Sequence, residues 1–195
     1  MAILEAAQRL FLSDGYGTTS IRAIAEEAGV AVQTIYAVFK HKRQLVIELV
    51  ENAVTGHDNL ASASEHPGTP AIRAEPDPSR RAQLDAALAR SITERLLPVF
   101  KITSDAAAVD PEFAELNRSM IARRRAEMAD AAAVLAGDTG LRVGLDDAAA
   151  SLFVLYSPHV AQLLTEHVGW SYDRYENWLA DAIERLILNS QPPGS

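Results

Sequence analysis

The side chains that could carry out binding chemistry concentrate between residues 19 and 42 of this 195-residue chain. They are hydroxyls, an amide, a phenol and cations, and they begin or flank short apolar segments. Hydroxyls, backbone N–H groups and cations at a helix start suit phosphate, and an amide can pair with the edge of a base. The pattern therefore favours contacts to nucleic acid through these residues: Thr19, Ser20, Arg22, Gln33, Thr34, Lys40 and His41.

Catalytic and metal chemistry has no comparable pattern in the sequence. The absence of cysteine excludes disulfides, thiol catalysis and thiolate metal sites. There is no phosphate-cradling glycine loop, no histidine–carboxylate metal motif and no G-x-S-x-G nucleophile elbow. His159 and His167 are about two helical turns apart, too far to share a metal without a third ligand. We therefore expect no catalytic residue, no cofactor and no metal site.

Helical periodicity predicts the elements that position the polar residues. Apolar spacing predicts helices over about 3–13, 21–28, 32–39 and 42–55, with Gly29 at a turn that needs a positive φ. Two short helices joined through a glycine, the second followed by cations, are typical of a helix-turn-helix. An ordinary helical hairpin fits this short pattern as well. Six small or apolar residues are expected inside: Ile24, Ala25, Ala28, Val30, Ile35 and Val38.

A longer stretch of sequence, over about residues 3–50, resembles the DNA-binding domain of TetR-family transcriptional regulators. The resemblance begins in the first predicted helix and includes the run TSIRAIAEEAGV at residues 19–30. Two positions depart from the family pattern: Ala31 replaces a residue that is usually a hydroxyl cap, and Val38 replaces a common histidine or tyrosine. The other matching residues are Ile3 to Ala7, Leu10, Phe11, Gly15, Tyr16, Thr34, Ile35, Tyr36, Phe39, Lys42 and Leu45.

The resemblance implies roles for individual residues. Tyr36 resembles the family tyrosine that reaches the DNA backbone, and Lys42 resembles its phosphate-anchoring lysine. Gln33 and Thr34, early in the second helix of the motif, can point an amide and a hydroxyl at base edges. Core packing of the Tyr36 ring and plain solvation of Lys40 are the alternatives. Phosphate or flanking contacts are expected for the remaining residues of the set: Thr19, Ser20, Arg22, Lys40 and His41.

The rest of the chain resembles the family only in length and helical layout. We predict an all-α fold in which an N-terminal three-helix helix-turn-helix DNA-binding domain, residues 1–50, joins a helical ligand-binding and dimerisation domain, residues 79–190. A linking helix at 42–55 and a Pro- and Gly-containing connecting segment at 56–78 lie between them. Further expected features are a kink or break at Pro98, a helix from Asp110-Pro111 to Leu135, a helix capped by Asp146 that reaches His167, and a helix capped by Ser171 from Tyr172 to Leu188.

A ligand site is expected in the second domain, since the resemblance implies a small-molecule effector. Helical spacing places Arg124 in the middle of an apolar arc, and a cation aimed at a core is costly unless it is paired. It therefore meets either a carboxylate of the chain or an anionic ligand. Tyr156 and His159 share a helix face, where ligand binding or satisfaction within the core are the alternatives. The expected ligand-binding residues are Phe100, Phe113, Asn117, Met120, Arg124, Tyr156 and His159.

Dimerisation is expected in the last two helices, because one helix-turn-helix reads few base pairs and a symmetric pair matches a palindrome. The last helix carries a wide apolar stripe. An intrachain core is the alternative use of that stripe. The expected interface residues are Leu164, Val168, Tyr175, Trp178, Leu179, Ile183 and Leu186.

Together these features predict a homodimeric repressor that a small-molecule ligand releases from operator DNA. The alternative is a nucleoid- or chromosome-organising DNA-binding protein of the same fold that answers to no small molecule. A net charge of −8 argues against general affinity for nucleic acid or anionic membrane, although three of the five cations in residues 1–57 lie within 40–43. No stretch is apolar enough to span a membrane and no signal peptide opens the chain, so we expect a cytoplasmic protein that is nucleoid-associated when bound to DNA and has no membrane partner.

Overall fold

A computed structural model describes residues 2–56, 66 and 68–189 of the chain. In this part of the chain the regular structure is helical, and the one β-type pairing is an isolated bridge between Leu141 and Leu188. The all-α prediction is confirmed. The helices are α1 (Ala2–Asp14), α2 (Ile21–Glu27), α3 (Val32–Phe39), α4 (Lys42–Thr55), α5 (Thr69–Ala74), α6 (Pro78–Val109), α7 (Pro111–Ala136), α8 (Leu145–Leu155), α9 (Pro158–Gln162), which continues into a π-helical turn (Leu163–His167), and α10 (Tyr172–Leu186).

Helix starts follow the capping residues at two of the three predicted sites. Asp110 Oδ1 accepts hydrogen bonds from the backbone N–H groups of Glu112 and Phe113, both at 3.1 Å, at the start of α7. The Ser171 hydroxyl likewise accepts from the Arg174 N–H at 3.2 Å at the start of α10. The cap predicted at Asp146 is wrong, because α8 begins at Leu145 and Asp146 lies in its first turn.

The two prolines at Pro98 and Pro158 affect the helices differently from the prediction. The predicted break at Pro98 does not occur, because α6 continues through Pro98 and is flanked there by the buried side chains of Leu97 and Val99. By contrast, Pro158 divides the predicted helix that reaches His167, since α8 ends at Leu155 and α9 begins at the proline itself.

The connecting segment predicted over 56–78 is only partly open to comparison. Residues 57–65 and 67 lie outside the described residues. The described remainder contains the short helix α5, so helical structure resumes earlier than the composition indicates.

The chain divides into two compact units, and the division falls inside α6 and α7. Of the described residues, 2–56 and 95–120 form the first unit, and 66, 68–94 and 121–189 form the second. Residues 95–120 therefore pack with the N-terminal helices, whereas the sequence alone placed them in the ligand domain. Among the described residues no single helix is long and apolar enough to cross a membrane, and only the bent pair Leu145–Leu155 with Pro158–His167 meets the criteria of length and composition.

The core of the first unit joins α1–α4 to the end of α6 and the start of α7. Phe11 and Leu45 are almost fully buried in it, together with Ile102 of α6 and Phe113 of α7. The ring centroids of Phe11 and Tyr16 lie 5.4 Å apart, and those of Tyr16 and Phe113 lie 6.3 Å apart. This apolar core holds the helix-turn-helix in a fixed geometry.

The second unit contains a buried cation that the sequence pattern does not reveal. Arg81, 2% exposed, donates hydrogen bonds to the backbone carbonyls of Glu75 and Leu135. Leu135 lies in the last turn of α7, where carbonyl groups and the helix dipole favour a positive charge. Arg81 therefore fixes the segment between α5 and α6 to the end of α7.

Candidate DNA interface and effector site

The turn between α2 and α3 has the geometry that a helix-turn-helix requires. Gly29, with φ +67°, donates to the carbonyl of Glu26 at 3.1 Å, and Val30 donates to the carbonyl of Ala25 at 2.9 Å. These two bonds form a Schellman motif, which ends a helix through a left-handed residue that is usually glycine. The position of Gly29 thus sets the direction in which α3 leaves the turn.

Helix α3 buries one face and exposes the face that carries the predicted base-reading residues. Ile35 and Phe39 lie in the core, whereas Gln33 and Thr34 are exposed and Tyr36 is 52% exposed. Core packing therefore accounts for only part of the Tyr36 side chain. An amide, a hydroxyl and a phenol on one exposed helix surface are suitable donors and acceptors for DNA bases and phosphates.

Val38 does not lie in the core, which corrects its expected position. The side chain is 61% exposed, although Ile24, Ala25 and Ile35 of the same predicted interior set are buried. Val38 faces outward near the end of α3, at a position where the TetR family commonly has histidine or tyrosine. Val38 therefore adds an apolar group to the exposed surface of α3.

The link between α3 and α4 contains a strained turn centred on a lysine. Lys40 has φ 57° and ψ −48°, and the His41 N–H donates to the Phe39 carbonyl at 2.5 Å. This is a γ-turn with a positive φ, a rare conformation that costs a non-glycine residue free energy. Both Lys40 and His41 are exposed directly after the proposed reading helix. No sequence signal marks this turn, because it contains neither glycine nor asparagine.

The start of α2 separates two residues that were expected to act together. Ser20 is exposed and caps α2, its hydroxyl accepting from the Ala23 N–H at 3.1 Å. Thr19 is buried, and its hydroxyl donates to the carbonyls of Gly15 and Leu10 at 2.8 and 3.2 Å. The expected phosphate contact by Thr19 is therefore corrected to a structural role in closing the loop after α1.

Lys42 is held by the loop between α1 and α2. Its ammonium donates to the carbonyls of Tyr16 and Thr19 at 2.7 and 3.0 Å and lies 4.2 Å from the centre of the Tyr16 ring. Burial lowers the pKa of Lys42, and the charge of Asp110 opposes that shift. Since an ammonium has three N–H groups, one remains for a phosphate. Lys42 is thus first a brace between the loop and α4.

An ion-pair network joins the helix-turn-helix to the corner between α6 and α7. The Tyr16 hydroxyl donates to Asp110 Oδ2 at 3.0 Å, and Arg43 pairs with Glu112 and lies 3.9 Å from Asp110 Oδ1. Desolvation acts to raise the pKa of Asp110, but backbone N–H donors, the Tyr16 hydroxyl and Arg43 together lower it. Burial and the Asp110 hydrogen bond raise the pKa of Tyr16. Asp110, at the junction of two long helices, is therefore tied to α4.

These contacts leave two exposed cations for DNA phosphates among the five in residues 1–57. Arg9 pairs with Glu27 at 3.0 Å, and Lys42 and Arg43 are engaged as described above. Arg22 and Lys40 are exposed and make no ion pair with described residues. The phosphate-binding charge of this surface is therefore small and local.

A polar cluster lies inside the second unit, where the sequence predicts the effector. Arg124 of α7 donates to the Phe153 carbonyl at 3.1 Å, and its guanidinium lies 4.6 Å from the centre of the Phe153 ring. No carboxylate of the described residues forms an ion pair with it. Desolvation lowers the pKa of Arg124, and the charges of Tyr175 and Glu127 oppose that shift. Among the described residues Arg124 therefore has no ion pair, and the Glu127 carboxylate that acts on it is paired with Arg123 instead.

The cluster continues through α6, the end of α8 and α10. The Tyr156 hydroxyl donates to Asp85 Oδ2, and burial raises the pKa of Asp85 to about 6 although this hydrogen bond opposes the shift. Burial and the Asp85 charge raise the pKa of Tyr156 as well. Burial also raises the pKa of Tyr175, whereas the Thr93 hydroxyl and the charge of Arg124 act to lower it. Electrostatic interaction thus connects one set of side chains, called here the polar cluster: Asp85, Thr93, Arg124, Tyr156 and Tyr175.

Comparison with known proteins agrees with this arrangement. Residues 3–49 match the model of the family "Bacterial regulatory proteins, tetR family". The HTH-type transcriptional regulator TtgR of Pseudomonas putida is 44% identical over 63 residues, which are 32% of this chain and 30% of TtgR. The N-terminal helices of the chain form a DNA-binding domain of the TetR family.

Solved structures resemble this chain over nearly its full length. A TetR-family transcriptional regulator from Mesorhizobium loti is 25% identical, with a TM-score of 0.69 over 94% of this chain and 92% of that one. A transcriptional regulator from Saccharomonospora viridis, solved in complex with choline, is 23% identical, with a TM-score of 0.67 over 96% of each chain. The second unit therefore has the fold of these proteins, although the sequence match to TtgR is limited to about a third of each chain.

The predicted ligand-binding residues are divided between the two units. Arg124 and Tyr156 belong to the polar cluster, whereas Phe100, Asn117 and Met120 lie in the first unit. Phe113 also lies in the first unit, fully buried against Tyr16, which corrects its expected role to core packing. His159 is exposed and its backbone N–H bonds to the Ser157 hydroxyl at the start of α9. Helical spacing missed Asp85, Thr93 and Tyr175, because their contribution depends on long-range contacts.

The predicted dimer residues likewise fall into two groups. Tyr175, Leu179 and Ile183 are fully buried within the chain, which corrects their expected role: the apolar stripe of α10 packs against α8 and the π-helical turn. The partly buried Trp178 stacks on Tyr175 and meets Trp170 edge-on, with centroid distances of 6.2 Å in both pairs. The predicted residues that keep accessible surface are Leu164, Val168, Trp178 and Leu186, of which Val168 and Leu186 are more than half exposed.

Proposed function

We propose that this TetR-family protein is a homodimeric repressor that binds a palindromic operator through α3 and dissociates when a small molecule binds the second unit. One observation carries the DNA-binding part: α3 exposes Gln33, Thr34 and Tyr36 together. The same domain exposes two cations, Arg22 and Lys40, that form no ion pair with a described residue. The first group can read base edges, and the cations supply the phosphate contacts that set register. Operator DNA implies a cytoplasmic, nucleoid-associated protein.

The proposed effector site is the polar cluster of the second unit. Buried polar groups that converge in an apolar setting are typical of ligand sites. The Saccharomonospora viridis protein, which has a similar fold, holds choline. Helices α6 and α7 contribute residues to both units, and Asp110 at their junction is tied to Tyr16 and Arg43. A ligand that favours one position of these helices would change the position of α4 and lower operator affinity.

The proposed dimer interface uses three of the apolar residues that the second unit leaves exposed. Leu163 and Val168 lie at the two ends of the π-helical turn, and Leu186 ends α10, each more than half exposed. Their elements adjoin, since α10 packs against the π-helical turn. Exposed apolar groups of this kind mark association surfaces. A two-fold pair places two α3 helices about one DNA turn apart, roughly 34 Å.

Selection from a random duplex library tests the proposal without assuming where the operator lies. The full chain is incubated with the library, bound DNA is amplified and sequenced, and the enriched sequences are used in competition assays. We expect a two-fold symmetric motif whose half-site centres lie about 10 base pairs apart. Enrichment of no motif, with binding to any duplex, would favour the chromosome-organising alternative instead. The motif must also lose its enrichment when selection is repeated with Gln33→Ala, while Arg118→Ala, which removes an exposed cation of α7, must keep it.

A further inference from the structure

The polar cluster contains one positive charge that physiological pH does not remove. Asp85 can lose its charge by protonation, because burial raises its pKa to about 6. An arginine cannot be deprotonated in a protein, so Arg124 stays charged even though desolvation acts against it. Its contacts with described residues are the Phe153 carbonyl and ring, which carry no formal charge. The Glu127 carboxylate acts on Arg124 electrostatically but is paired with Arg123 at 3.5 Å, so Arg124 is the persistent charge of the site that no ion pair with a described residue balances.

A second unmet group lies beside this cation. Tyr175 is fully buried, and its hydroxyl has no partner of hydrogen-bond geometry among the described residues, although Thr93 and Arg124 are near enough to influence its pKa. Leaving a buried hydroxyl unpaired costs about 1–3 kcal/mol. An acceptor brought to Arg124 by a ligand would also be available to Tyr175. The two groups thus share one missing partner, an acceptor that carries negative charge.

The remainder of the cluster indicates the size and apolar character of the occupant. Asp85 and Thr93 are eight residues apart on α6, which places them about 12 Å apart along one helix face. Asp85, Tyr156 and Phe153 keep part of their accessible surface, although Asp85 and Tyr156 are strongly desolvated. Desolvated groups that keep accessible surface can contact a ligand. Phe153 and the ring of Tyr156 would offer such a ligand apolar surface.

We propose that the effector is an organic anion, whose acid group binds Arg124 and the Tyr175 hydroxyl and whose apolar body extends toward Asp85. This inference rests on the proposed function, since it assigns the chemistry of the proposed effector site. The acid group supplies hydrogen-bond acceptors to the Arg124 guanidinium, which desolvation deprives of water. It also gives the Tyr175 hydroxyl an acceptor. A neutral analogue of the same shape supplies neither charge nor a strong acceptor.

Matched pairs of acids and amides test the class of ligand directly. The probes are 2-naphthoate, cinnamate and decanoate, their three primary amides, and choline as a cation. Binding is followed by tryptophan fluorescence of the full-length protein without DNA, since Trp178 stacks on Tyr175, and is repeated by calorimetry. We expect at least one acid to bind at least tenfold more tightly than its amide and than choline. Equal affinities, preference for an amide or for choline, or no acid binding below 1 mM overturns the inference.

Two adjacent arginines on α7 provide the matched variants. Arg124→Gln should reduce the acid-over-amide preference to about one, while Arg124→Lys keeps part of it. Arg125→Gln removes an exposed cation that forms no ion pair with a described residue, and it should leave the preference unchanged. A preference that survives in Arg124→Gln contradicts the assignment. Thermal unfolding of each variant shows whether it is folded, and the Arg124→Lys result keeps the test decisive if Arg124→Gln is not.

Tyr175→Phe separates ligand binding from a structural role. Removal of an unpaired buried hydroxyl should raise the melting temperature of the free protein and weaken acid binding several-fold. A purely structural role would not produce higher stability together with weaker binding. Operator release is measured separately by anisotropy. If acids bind and the operator stays bound, the proposed function fails and the ligand class stands. If only cations or neutral compounds release the operator, the ligand class fails and the proposed function stands.

Discussion

Replacement of Asp85 by asparagine should stabilise the free protein in a way that depends on pH. Burial raises the pKa of Asp85 from 3.8 to about 6. Between about pH 4 and pH 6 the carboxyl group is therefore protonated in the folded protein and ionised in the unfolded chain. The stability contributed by this group is present at low pH and is lost as the pH rises through about 6. A shift of about 2 pKa units corresponds to about 3 kcal/mol, the cost of keeping Asp85 ionised at pH 8. Asparagine avoids that cost, and its amide oxygen can still accept from Tyr156.

Urea unfolding followed by circular dichroism at pH 4.5 and pH 8 measures this effect. We expect the free energy of unfolding of Asp85→Asn to exceed that of the unchanged protein by about 3 kcal/mol at pH 8, an advantage that shrinks by about 2 kcal/mol at pH 4.5. Asp130→Asn, which removes an exposed carboxylate of α7, controls for the loss of one negative charge. An advantage that is the same at both pH values, or a loss of stability at pH 8, would show that Asp85 is not desolvated as described.

Three further substitutions test the turns and the proposed dimer. Gly29→Ala places a Cβ at φ +67° and should lower the free energy of unfolding by about 1–2 kcal/mol, measured with urea. Lys40→Gly removes the strain of the γ-turn and should raise that free energy by about 1 kcal/mol. Because it also removes one phosphate contact, the magnitude of the slope of log affinity against log salt for operator DNA should fall by about 0.9. Leu163→Asp should convert a dimer to monomers in analytical ultracentrifugation, whereas Ile121→Asp, a comparably exposed residue, should not.

Local chemistry made the N-terminal helices predictable. The bounds of α3 and α4 follow from the apolar spacing, and the Schellman motif follows from Gly29. Asp110 followed by proline likewise predicts the start of α7. In each of these places the residues that decide the structure are neighbours in the sequence.

The roles that the sequence did not reveal depend on contacts between distant residues. Thr19 has the residue type of a phosphate ligand, but its hydroxyl is used by Leu10 and Gly15 of the preceding helix and loop. The apolar stripe of α10 suits either a dimer or a core, and only tertiary packing shows that Tyr175 lies in the core. Asp85 lies 71 residues from Tyr156, so no local pattern connects them.

The most direct test of the central claim compares operator affinity for two groups of variants by fluorescence anisotropy. The selected duplex is titrated with the unchanged protein, with Gln33→Ala/Tyr36→Ala, and with Arg118→Ala across a series of salt concentrations. We predict that the double variant loses at least tenfold in affinity for the selected duplex while its affinity for a scrambled duplex changes little, and that Arg118→Ala binds as the unchanged protein does. Equal affinity of the double variant and the unchanged protein for the selected duplex would contradict the claim that α3 reads the operator.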